Sequence, residues 1–378
     1  MKPKKILFIT GTRADYGKMK PLMKMLEKNP LTEVYIFVCG MHLSEKFGGT
    51  YMEVLTDKYK NVYIAYGLSQ TQNASVNLGS TISCLAGYVE NIKPDMIVVH
   101  GDRMDALAGA VVGALNNILV AHIEGGELSG TIDESIRHAI SKFAHVHFVC
   151  TAEAKKRLIQ LGEEEERIFV IGSPDIDIML GNNLPSLEAS LYRYDIDFKN
   201  YGILMYHPVT TEYDVIDAKI KAVVDAVIES EKNYIVVYPN NDLGSEVILN
   251  EFKRFKGNEH FRVFPSLRFE CFLTILKNAD FIIGNSSAGI RESGVYGVPA
   301  IDIGTRQSGR YSTSTIKNLQ HTEEDAAQIL KAIENCEKFR SESLEFGDGN
   351  STEKFKEIIS NPEFWNMEIQ KRFVDYDF

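Results

Sequence analysis

Polar residues suited to acid–base or phosphate chemistry follow many of the short apolar runs in this chain. In an open parallel sheet, ligands bind in the crevice beyond the carboxyl ends of the strands. Such residues at the ends of so many runs therefore predict a catalytic cleft. The segments are GTRAD at 11–15, HGDR at 100–103, HIEGGE at 122–127, GSPD at 172–175, YHP at 206–208, YPNN at 238–241 and GNSS at 284–287.

Three of the loops in the amino-terminal half supply carboxylates. They are Asp102 in HGDR, Glu124 in HIEGGE, and Asp133 with Glu134 in TIDESIRH. Carboxylates that converge on a dry cleft raise one another's pKa, so that some of them can serve as general acids or bases. A lone Asp after a strand is more often a helix cap or a turn residue. Three carboxylates in successive loops of one domain favour a functional role.

Basic and hydroxyl side chains in three segments are suited to phosphate oxygens. Helix amino termini attract anions, and the guanidinium group of Arg matches the geometry of a phosphate. Taken alone, GTRADYGK fits a surface turn equally well, and GNSSAGIRESG fits a Ser-capped helix with an exposed Glu equally well. Together they predict a nucleotide-diphosphate site that faces the carboxylates, with Glu292 accepting from a ribose diol. The residues are Arg13 and Lys18 in GTRADYGK, Ser286, Ser287 and Glu292 in GNSSAGIRESG, and Arg306 and Arg310 in GTRQSGR.

Four histidines are candidates for a chemical role. His207 in YHPVTTE could donate to a phosphate or carry a proton, and a turn histidine fits the segment equally well. His122 and Glu124 have the spacing of the H-x-E of zinc deaminases, but no P-C-x-x-C follows. His145 and His147 alternate along a strand and lack the spacing of metal ligands. We therefore expect no metal site. Because no G-x-G-x-x-G follows any strand, we expect no nicotinamide dinucleotide either.

Length and charge narrow the class of protein. At 378 residues, the chain exceeds what one hydrophobic core usually organises, so two domains are expected. The net charge of -11 disfavours nucleic acid and anionic membrane surfaces as partners. Five scattered cysteines indicate reduced thiols and hence a cytoplasmic protein. The most apolar window, 105–123, contains Asn116, Asn117 and His122, which favours a buried helix and strand over a membrane span.

Strand and helix patterns alternate along the chain, which predicts an α/β protein. Runs such as MIVVH, YIVVY and FIIGN are apolar on both faces, as buried parallel strands covered by helices must be. The GSPD motif and the polar segment 181–200 indicate the boundary between two doubly wound domains. The first series of predicted strands is 5–10, 33–39, 62–66, 95–100, 117–123 and 145–150. The second is 167–172, 202–206, 233–238, 260–264, 280–284 and 299–303, with helical segments around 323–338 and 352–374.

Eight motifs, in their order and combination, make the chain similar to the UDP-N-acetylglucosamine 2-epimerases over nearly its whole length. They are GTRAD, HGDR, H-x-E-G-G-E, TIDESIRHAI, GSPD, HPVTT, GNSS-x-G-x-R-E and GTRQ-x-GR. Within the family, HIEGGE and TIDESIRH resemble the hydrolysing branch, especially the enzymes of bacterial sialic-acid biosynthesis. The non-hydrolysing enzymes typically carry an E-A-G-L-R-T type sequence after the strand.

The resemblance implies a GT-B-like α/β fold, with two doubly wound Rossmann-like domains and a cleft between them. It places an amino-terminal domain over 1–172 and a UDP-binding domain over 173–363, and it adds a C-terminal helix over 364–378 that returns to the first domain. Its implied partners are UDP-GlcNAc and UDP, and it implies no cofactor. Family members commonly associate through the first domain, so a homodimer or a dimer of dimers is expected.

The resemblance also implies roles for individual residues. Asp102, Glu124 and Asp133 match the acid/base carboxylates of the family, and His207 is a further catalytic candidate near the diphosphate. The positions that match contacts to UDP or its diphosphate are Arg13, Lys18, Arg103, Asn240, Ser286, Ser287, Glu292 and Arg306.

The implied reaction converts UDP-GlcNAc and water to N-acetylmannosamine and UDP. Departure of UDP leaves the anomeric carbon electron deficient, a carboxylate takes the proton of carbon 2, and 2-acetamidoglucal forms. Water then adds while carbon 2 is reprotonated on the opposite face. Four other interpretations stay open: a hydrolysing 2-epimerase of a UDP-2,4-diacetamido-6-deoxy sugar, a non-hydrolysing UDP-GlcNAc 2-epimerase, a GT-B glycosyltransferase and a catalytically silent nucleotide-sugar sensor.

Overall fold

The chain forms two compact units, which are considered one at a time. The computed structural model describes residues 2–68, 71 and 73–375. Unit 1 comprises the described residues within Met1–Glu127, Asp133–Gly181 and Phe346–Phe378, and unit 2 comprises Leu128–Ile132 and Asn182–Glu345. Each unit is built on its own parallel sheet, as the alternating strand and helix patterns predict.

Unit 1 contains a seven-stranded parallel sheet in the order β3-β2-β1-β4-β5-β6-β7. Its strands are β1 (Lys4–Thr10), β2 (Thr32–Val38), β3 (Asn61–Ile64), β4 (Met96–His100), β5 (Leu119–Ile123), β6 (Val146–Val149) and β7 (Ile168–Val170). The helices that accompany them are α1 (Arg13–Glu27), α2 (Tyr51–Thr56), α3 (Ala74–Ile92), α4 (Met104–Leu115), α5 (Ile132–Phe143), α6 (Ala152–Gln160) and α7 (Pro174–Leu180).

The β1 strand shows why this sheet must be covered on both faces. Successive side chains of a strand point to opposite faces, and the residues of β1 from Ile6 onward are all buried. Ile6 and Phe8 belong to the apolar core on one face, and Leu7 and Ile9 to the core on the other. Helices on both faces therefore exclude water from the sheet and hold the strand ends in fixed positions.

Unit 2 contains a six-stranded parallel sheet in the order β10-β9-β8-β11-β12-β13. Its strands are β8 (Gly202–Met205), β9 (Tyr234–Val237), β10 (Phe261–Phe264), β11 (Phe281–Gly284), β12 (Ala300–Ile303) and β13 (Leu319–Thr322). Its helices are α8 (Leu187–Arg193), α9 (Ile216–Glu229), α10 (Ser245–Phe252), α11 (Phe269–Lys277), α12 (Glu292–Val295) and α13 (Ala326–Asn335).

The chain then returns to unit 1 through α14 (Ser351–Ser360), which packs on α1 and α7. This differs from the helix expected over 364–378, because α14 ends two residues before Pro362 and only a short 3-10 turn, Pro362–Asn366, follows. Residues 376–378 of that expectation lie outside the described residues. The part of the chain that the structure describes holds no helix long and apolar enough to cross a membrane.

The boundaries of the units also differ from the expected positions at 172 and 364. Residues 173–181 lie in unit 1 because α7 packs against α1, and the return to unit 1 begins at Phe346. The strand predicted at 167–172 opens the second series in the sequence pattern, but as β7 it pairs with β6 in the first sheet. The short segment Leu128–Ile132 belongs to unit 2, where Gly130 donates its backbone N–H to the Arg306 carbonyl at 3.0 Å.

The strands β8 and β11 approach each other closely at Gly284, the last residue of β11. Its φ of +130° lies in the region that favours glycine, and a Cβ atom there would stand 2.0 Å from the Met205 carbonyl oxygen. We expect Gly284→Ala to lower the free energy of unfolding by about 3 kcal/mol or more, measured by urea titration. Gly289→Ala is the matched control, since its Cβ would meet nothing closer than 3.6 Å. Equal stability of the two variants would contradict this packing.

Candidate active site

In the sheet of unit 1, β1 and β4 are neighbours, and the strand order reverses between them. The chain continues from β1 to β2 on one side and from β4 to β5 on the other. In open α/β sheets, ligands bind at the carboxyl ends of the strands at such a point. The GTRAD loop follows β1 and the HGDR loop follows β4. The structure therefore brings these two predicted loops to the switch point of the sheet.

Lys18 and Glu124 form the centre of a buried charged cluster at this edge. Lys18 Nζ lies 3.3 Å from Glu124 Oε1 and 3.7 Å from Asp175 Oδ2. Ser173 Oγ donates to Glu124 Oε1 at 3.2 Å, and His100 Nε2 lies 3.3 Å from the same oxygen. All five side chains are buried. Because an isolated buried charge is strongly unfavourable, burial of these groups depends on the pairing of the lysine with both carboxylates.

This cluster adds residues to those assigned from the sequence. Lys18 is predicted to contact UDP, and in the structure it pairs with two carboxylates of its own unit. Asp175 and His100 were not assigned a role, although GSPD and HGDR both end apolar runs. The position of these motifs at the ends of apolar runs is the sequence signal that could have identified Asp175 and His100. Their contact with Glu124 and Lys18 depends on which loops the sheet order places side by side.

Arg137 connects the predicted carboxylates of the unit. It is wholly buried on α5, donates to the Asp102 carboxylate, and donates to the Glu127 carbonyl at 3.0 Å. Burial lowers the pKa of Arg137, but the negative charges of Asp102, Glu127, Glu124 and Asp133 raise it by more, so the pKa lies above its ordinary value. Asp102 thus contacts this guanidinium group directly, and Glu124 and Asp133 are near enough for their charges to act on it.

Two of the arginines predicted to contact UDP or its diphosphate, Arg13 and Arg103, lie at the switch point of unit 1. Arg13 opens α1, and its Nη2 pairs with Glu53 Oε1 at 2.5 Å. Arg103 is the residue that precedes α4, and its positive charge acts on the buried Asp105 carboxyl. Both guanidinium groups therefore follow a central strand directly, in the position that the sequence predicts.

The GTRAD loop is held by a hydrogen-bonded chain beneath it. Asp15 accepts from the backbone of Gly11 at 3.0 Å and from the Thr10 hydroxyl, and it completes a capping box with Thr12. His42 Nε2 lies 2.9 Å from the same Thr10 hydroxyl. Burial raises the pKa of Asp15 to about 6 and lowers the pKa of His42 to about 3. The pKa of Asp15 is therefore above its ordinary value, and the pKa of His42 is below its ordinary value.

The strand order of unit 2 reverses between β8 and β11, and Asn285 joins the loops at this point. Its Oδ1 accepts from the His207 backbone N–H at 2.6 Å, and its Nδ2 donates to the His207 carbonyl at 2.9 Å. The Asn285 carbonyl in turn accepts from Arg306 at 3.2 Å and from Gln307 at 2.8 Å. One buried asparagine therefore fixes HPVTT, GNSS and GTRQ relative to one another.

His207 and Asn240, both predicted site residues, meet at the same edge. The Asn240 backbone N–H donates to His207 Nδ1 at 3.0 Å. Because Nδ1 accepts this bond, the neutral imidazole carries its proton on Nε2. His207 is therefore oriented as an Nε2 donor, which suits hydrogen bonding to an anion.

The GNSS segment makes the turn that the sequence predicts. Ser286 caps a 3-10 turn, Ser287–Gly289, by accepting from the Ala288 backbone N–H at 3.3 Å. Glu292 begins the short helix α12 and is buried. Ser286 is therefore a capping residue, as the alternative of a Ser-capped helix with an exposed Glu requires. Glu292, however, is buried and not exposed. A buried carboxylate requires polar partners, which favours a functional or structural role for Glu292.

A second charged network supports the loops of unit 2. Lys219 Nζ donates to Glu212 at 2.6 Å and to Glu324 at 3.2 Å. Glu212 accepts from the Thr305 hydroxyl at 2.6 Å, and Glu324 accepts from the Tyr206 hydroxyl at 3.0 Å. Tyr206 and Thr305 directly precede His207 and Arg306 in the sequence. The network therefore positions the backbone from which both predicted diphosphate contacts project.

Comparison with known proteins decides the family. A family model described as UDP-N-acetylglucosamine 2-epimerase matches residues 24–360. The chain belongs to this family. It is 48% identical over 378 residues to the UDP-N-acetylglucosamine 2-epimerase of Neisseria meningitidis serogroup B, covering 98% of this chain and 99% of that protein. The enzymatic class is therefore established at the level of the epimerase family.

The chain is also similar to two further members of the epimerase family. The chain is 33% identical over 360 residues to a UDP-N,N'-diacetylbacillosamine 2-epimerase (hydrolyzing) of Legionella pneumophila, covering 94% of this chain and 95% of that one. The UDP-GlcNAc 2-epimerase of Methanocaldococcus jannaschii, solved in complex with UDP-GlcNAc and UDP, superposes with a TM-score of 0.80 at 24% identity, covering 94% of this chain and 99% of that chain. The predicted fold class, an α/β protein with two Rossmann-like parallel-sheet domains, is confirmed.

The described part of the epimerase chain contains no group of three or more His, Cys, Asp or Glu side chains arranged to hold a metal ion. Three histidines that were considered as metal ligands, His122, His145 and His147, make hydrogen bonds inside unit 1. His122 lies between Gly101 and Ser141, His147 Nε2 donates to the Glu163 carboxylate at 2.9 Å, and His145 Nδ1 accepts from the Val120 backbone N–H.

The opposite pKa shifts of Asp15 and His42 predict opposite effects on the pH dependence of stability. Unfolded His42 binds a proton below its ordinary pKa of 6.5 and folded His42 only below about 3, so its contribution to stability is lost as the pH falls. Folded Asp15 binds a proton from about pH 6 and the unfolded residue only near 3.8, so its contribution grows as the pH falls through that window.

Between pH 6 and 4, we therefore expect the free energy of unfolding of His42→Gln to fall less steeply on acidification than that of the wild type. The free energy of unfolding of Asp15→Asn should fall more steeply than that of the wild type. Each change should approach about 1.4 kcal/mol per pH unit, because close to one proton is exchanged. Urea unfolding of the wild type and both variants at several pH values measures the slopes. A shift of both slopes in the same direction would contradict the two pKa assignments.

Proposed function

We propose that this chain is a hydrolysing UDP-N-acetylglucosamine 2-epimerase, which converts UDP-GlcNAc and water to N-acetylmannosamine and UDP for sialic-acid biosynthesis. The observation that carries the proposal is a pair of separately held carboxylates at neighbouring strand ends. Glu124 pairs with Lys18, and Asp102 pairs with Arg137. The β4 and β5 strands that precede these carboxylates are adjacent in the sheet.

The first half of the proposed reaction is an elimination. The carbon 1–oxygen bond breaks with its electron pair going to UDP, and the proton of carbon 2 goes to a carboxylate of unit 1. That proton is hardly acidic in the substrate, so removal depends on the positive charge that develops as UDP leaves. Donors such as Arg306 and the Nε2–H of His207 stabilise the departing diphosphate. The product of this half is 2-acetamidoglucal.

The second half is a hydration with inversion at carbon 2. Water adds its hydroxide portion to carbon 1, and a proton is delivered to carbon 2 on the face opposite to the one that lost it. Two faces require two acid/base groups in different positions. Carboxylates with different cationic partners meet this requirement, since each is oriented by its own ion pair.

Two sequence segments support the hydrolysing form of the reaction. HIEGGE and TIDESIRH resemble the hydrolysing branch of the family, and the two segments touch in unit 1, where Arg137 of the second donates to the Glu127 carbonyl of the first at 3.0 Å. The Legionella pneumophila relative bears the description hydrolyzing at 33% identity. The substrate in the name of that relative, a UDP-linked diacetylbacillosamine, makes a diacetamido sugar the second candidate for this chain.

Product analysis tests the proposal. We expect the purified protein, incubated with UDP-GlcNAc and no acceptor, to release equimolar UDP and free N-acetylmannosamine, identified by chromatography and NMR. A parallel incubation uses the UDP-2,4-diacetamido-6-deoxy sugar. Accumulation of UDP-N-acetylmannosamine would indicate the non-hydrolysing reaction, turnover of the diacetamido sugar alone would indicate the second substrate, and binding without turnover would indicate a sensor.

The roles of the two carboxylates predict a specific loss of activity. Asp102→Asn and Glu124→Gln should each lower kcat by about 100-fold or more, because general acid–base groups contribute on that scale. Glu153→Gln is the control, since Glu153 pairs only at the exposed surface of α6. Deuterium incorporation at carbon 2, followed by mass spectrometry in heavy water, reports the proton transfer separately from UDP release. Unchanged turnover in both variants would remove these residues from the mechanism.

A further inference from the structure

His122 has no role in the reaction proposed above, yet it is placed between the two elements that hold Asp102. It is wholly buried in β5, two residues before Glu124. Its Nε2 lies 2.8 Å from the Gly101 carbonyl oxygen, and its Nδ1 lies 3.0 Å from the Ser141 hydroxyl. Because a carbonyl only accepts, Nε2 carries the ring proton and Nδ1 accepts from the serine.

These contacts close a ring around Asp102. Gly101 precedes Asp102 in the turn after β4, and the Asp102 carboxylate accepts from Arg137 on α5. Ser141 follows Arg137 by four residues and so lies on the same face of the helix. The ring therefore runs from Gly101 through Asp102, Arg137 and Ser141 to His122 and back to Gly101. Both supports of the carboxylate, the turn and the helix, meet at one imidazole.

We propose that His122 is a positioning residue that fixes the orientation of the Asp102 carboxylate. The inference rests on the proposed function, in which Asp102 is an acid/base group. Gly101 has a φ of +73°, in the left-handed region that favours glycine, and its carbonyl accepts from His122. Loss of the imidazole donor would leave that carbonyl without its partner. The turn would then rearrange, and the carboxylate at its next residue would move with it.

The imidazole is suited to this constant role because its hydrogen-bonding pattern does not change with pH. Burial lowers the pKa of His122 to about 3, so the ring stays neutral over the range in which the enzyme is assayed. It therefore donates to Gly101 and accepts from Ser141 throughout. A side chain that changed protonation state would reverse one of the two bonds.

Two substitutions separate the two bonds of the ring. Glutamine places an amide N–H near the position of Nε2 and can keep the bond to Gly101. Asparagine places its oxygen near Nδ1 and can keep only the bond to Ser141. His147 provides the matched control, because it is the register partner of His122 on β6, is equally buried, and bonds Glu163 instead.

The test compares His122→Asn, His122→Gln and His147→Asn with the wild type in turnover of UDP-GlcNAc and in UDP affinity. We expect His122→Asn to lower kcat by about 10- to 100-fold, on the scale by which misplacement of a reacting group slows catalysis, with KM and UDP affinity within about threefold. His122→Gln should recover most of the loss, and His147→Asn should keep kcat within about twofold even where it lowers Tm.

Several results would overturn the inference. Equal kcat values for His122→Asn and the wild type, or equal losses for His122→Asn and His147→Asn, would remove the positioning role. If His122→Asn does not fold, Ser141→Ala breaks the opposite side of the ring and should lower kcat by about three- to tenfold, and an unchanged kcat in that variant would refute the ring. A wild type without turnover would instead refute the proposed function, which keeps the two failures distinguishable.

Discussion

The pairing of buried charges is the constraint on which the candidate site depends. Removing a charge from water is unfavourable by several kcal/mol unless an opposite charge and further hydrogen bonds compensate for it. Unit 1 buries Lys18, Glu124 and Asp175 together, and it buries Arg137 against Asp102. Each ion must therefore stay where its partner is, and this requirement orients carboxylates that come from loops far apart in the sequence. The same pairing that permits burial gives the acid/base candidates fixed positions.

In unit 2, a neutral side chain and not an ion pair holds the loops of the candidate site together. Asn285 both donates and accepts, so it joins the loops after β8, β11 and β12 without adding charge where an anion is expected to bind. The ionic network of Lys219, Glu212 and Glu324 supports those loops from one residue away. A diphosphate would therefore meet Arg306 and His207 on a backbone that is already hydrogen bonded. Preorganised donors of this kind stabilise a leaving group without reorganising during the reaction.

Much of the fold could be predicted from hydrophobic patterning. All twelve predicted strands are present, because buried parallel strands are continuous apolar runs and the turns after them are polar. The thirteenth strand, β13, was missed since it is an edge strand whose Gln320 and His321 interrupt the apolar run. The helical segment that the pattern predicts around 352–374 ends at Ser360, two residues before Pro362. The position of the motif loops at the carboxyl ends of adjacent strands could be predicted as well, because each motif directly follows an apolar run.

The sequence by itself determined which residue types stand at the ends of the strands, and the motifs they form determined the epimerase family. Only the tertiary structure decided which of those side chains share a buried volume. Lys18 shows the difference: its place in the GTRADYGK segment predicts a contact with phosphate, and the fold adds its pairing with Glu124 and Asp175, which the sequence does not indicate. His122 shows it again, since the sequence argues only against a metal-binding role for it, and the contacts of β5 with Gly101 and with Ser141 on α5 make it a hydrogen-bonded bridge. Local sequence sets the chemistry that a side chain can offer, but its partners come from strand order and helix packing, which depend on the whole chain.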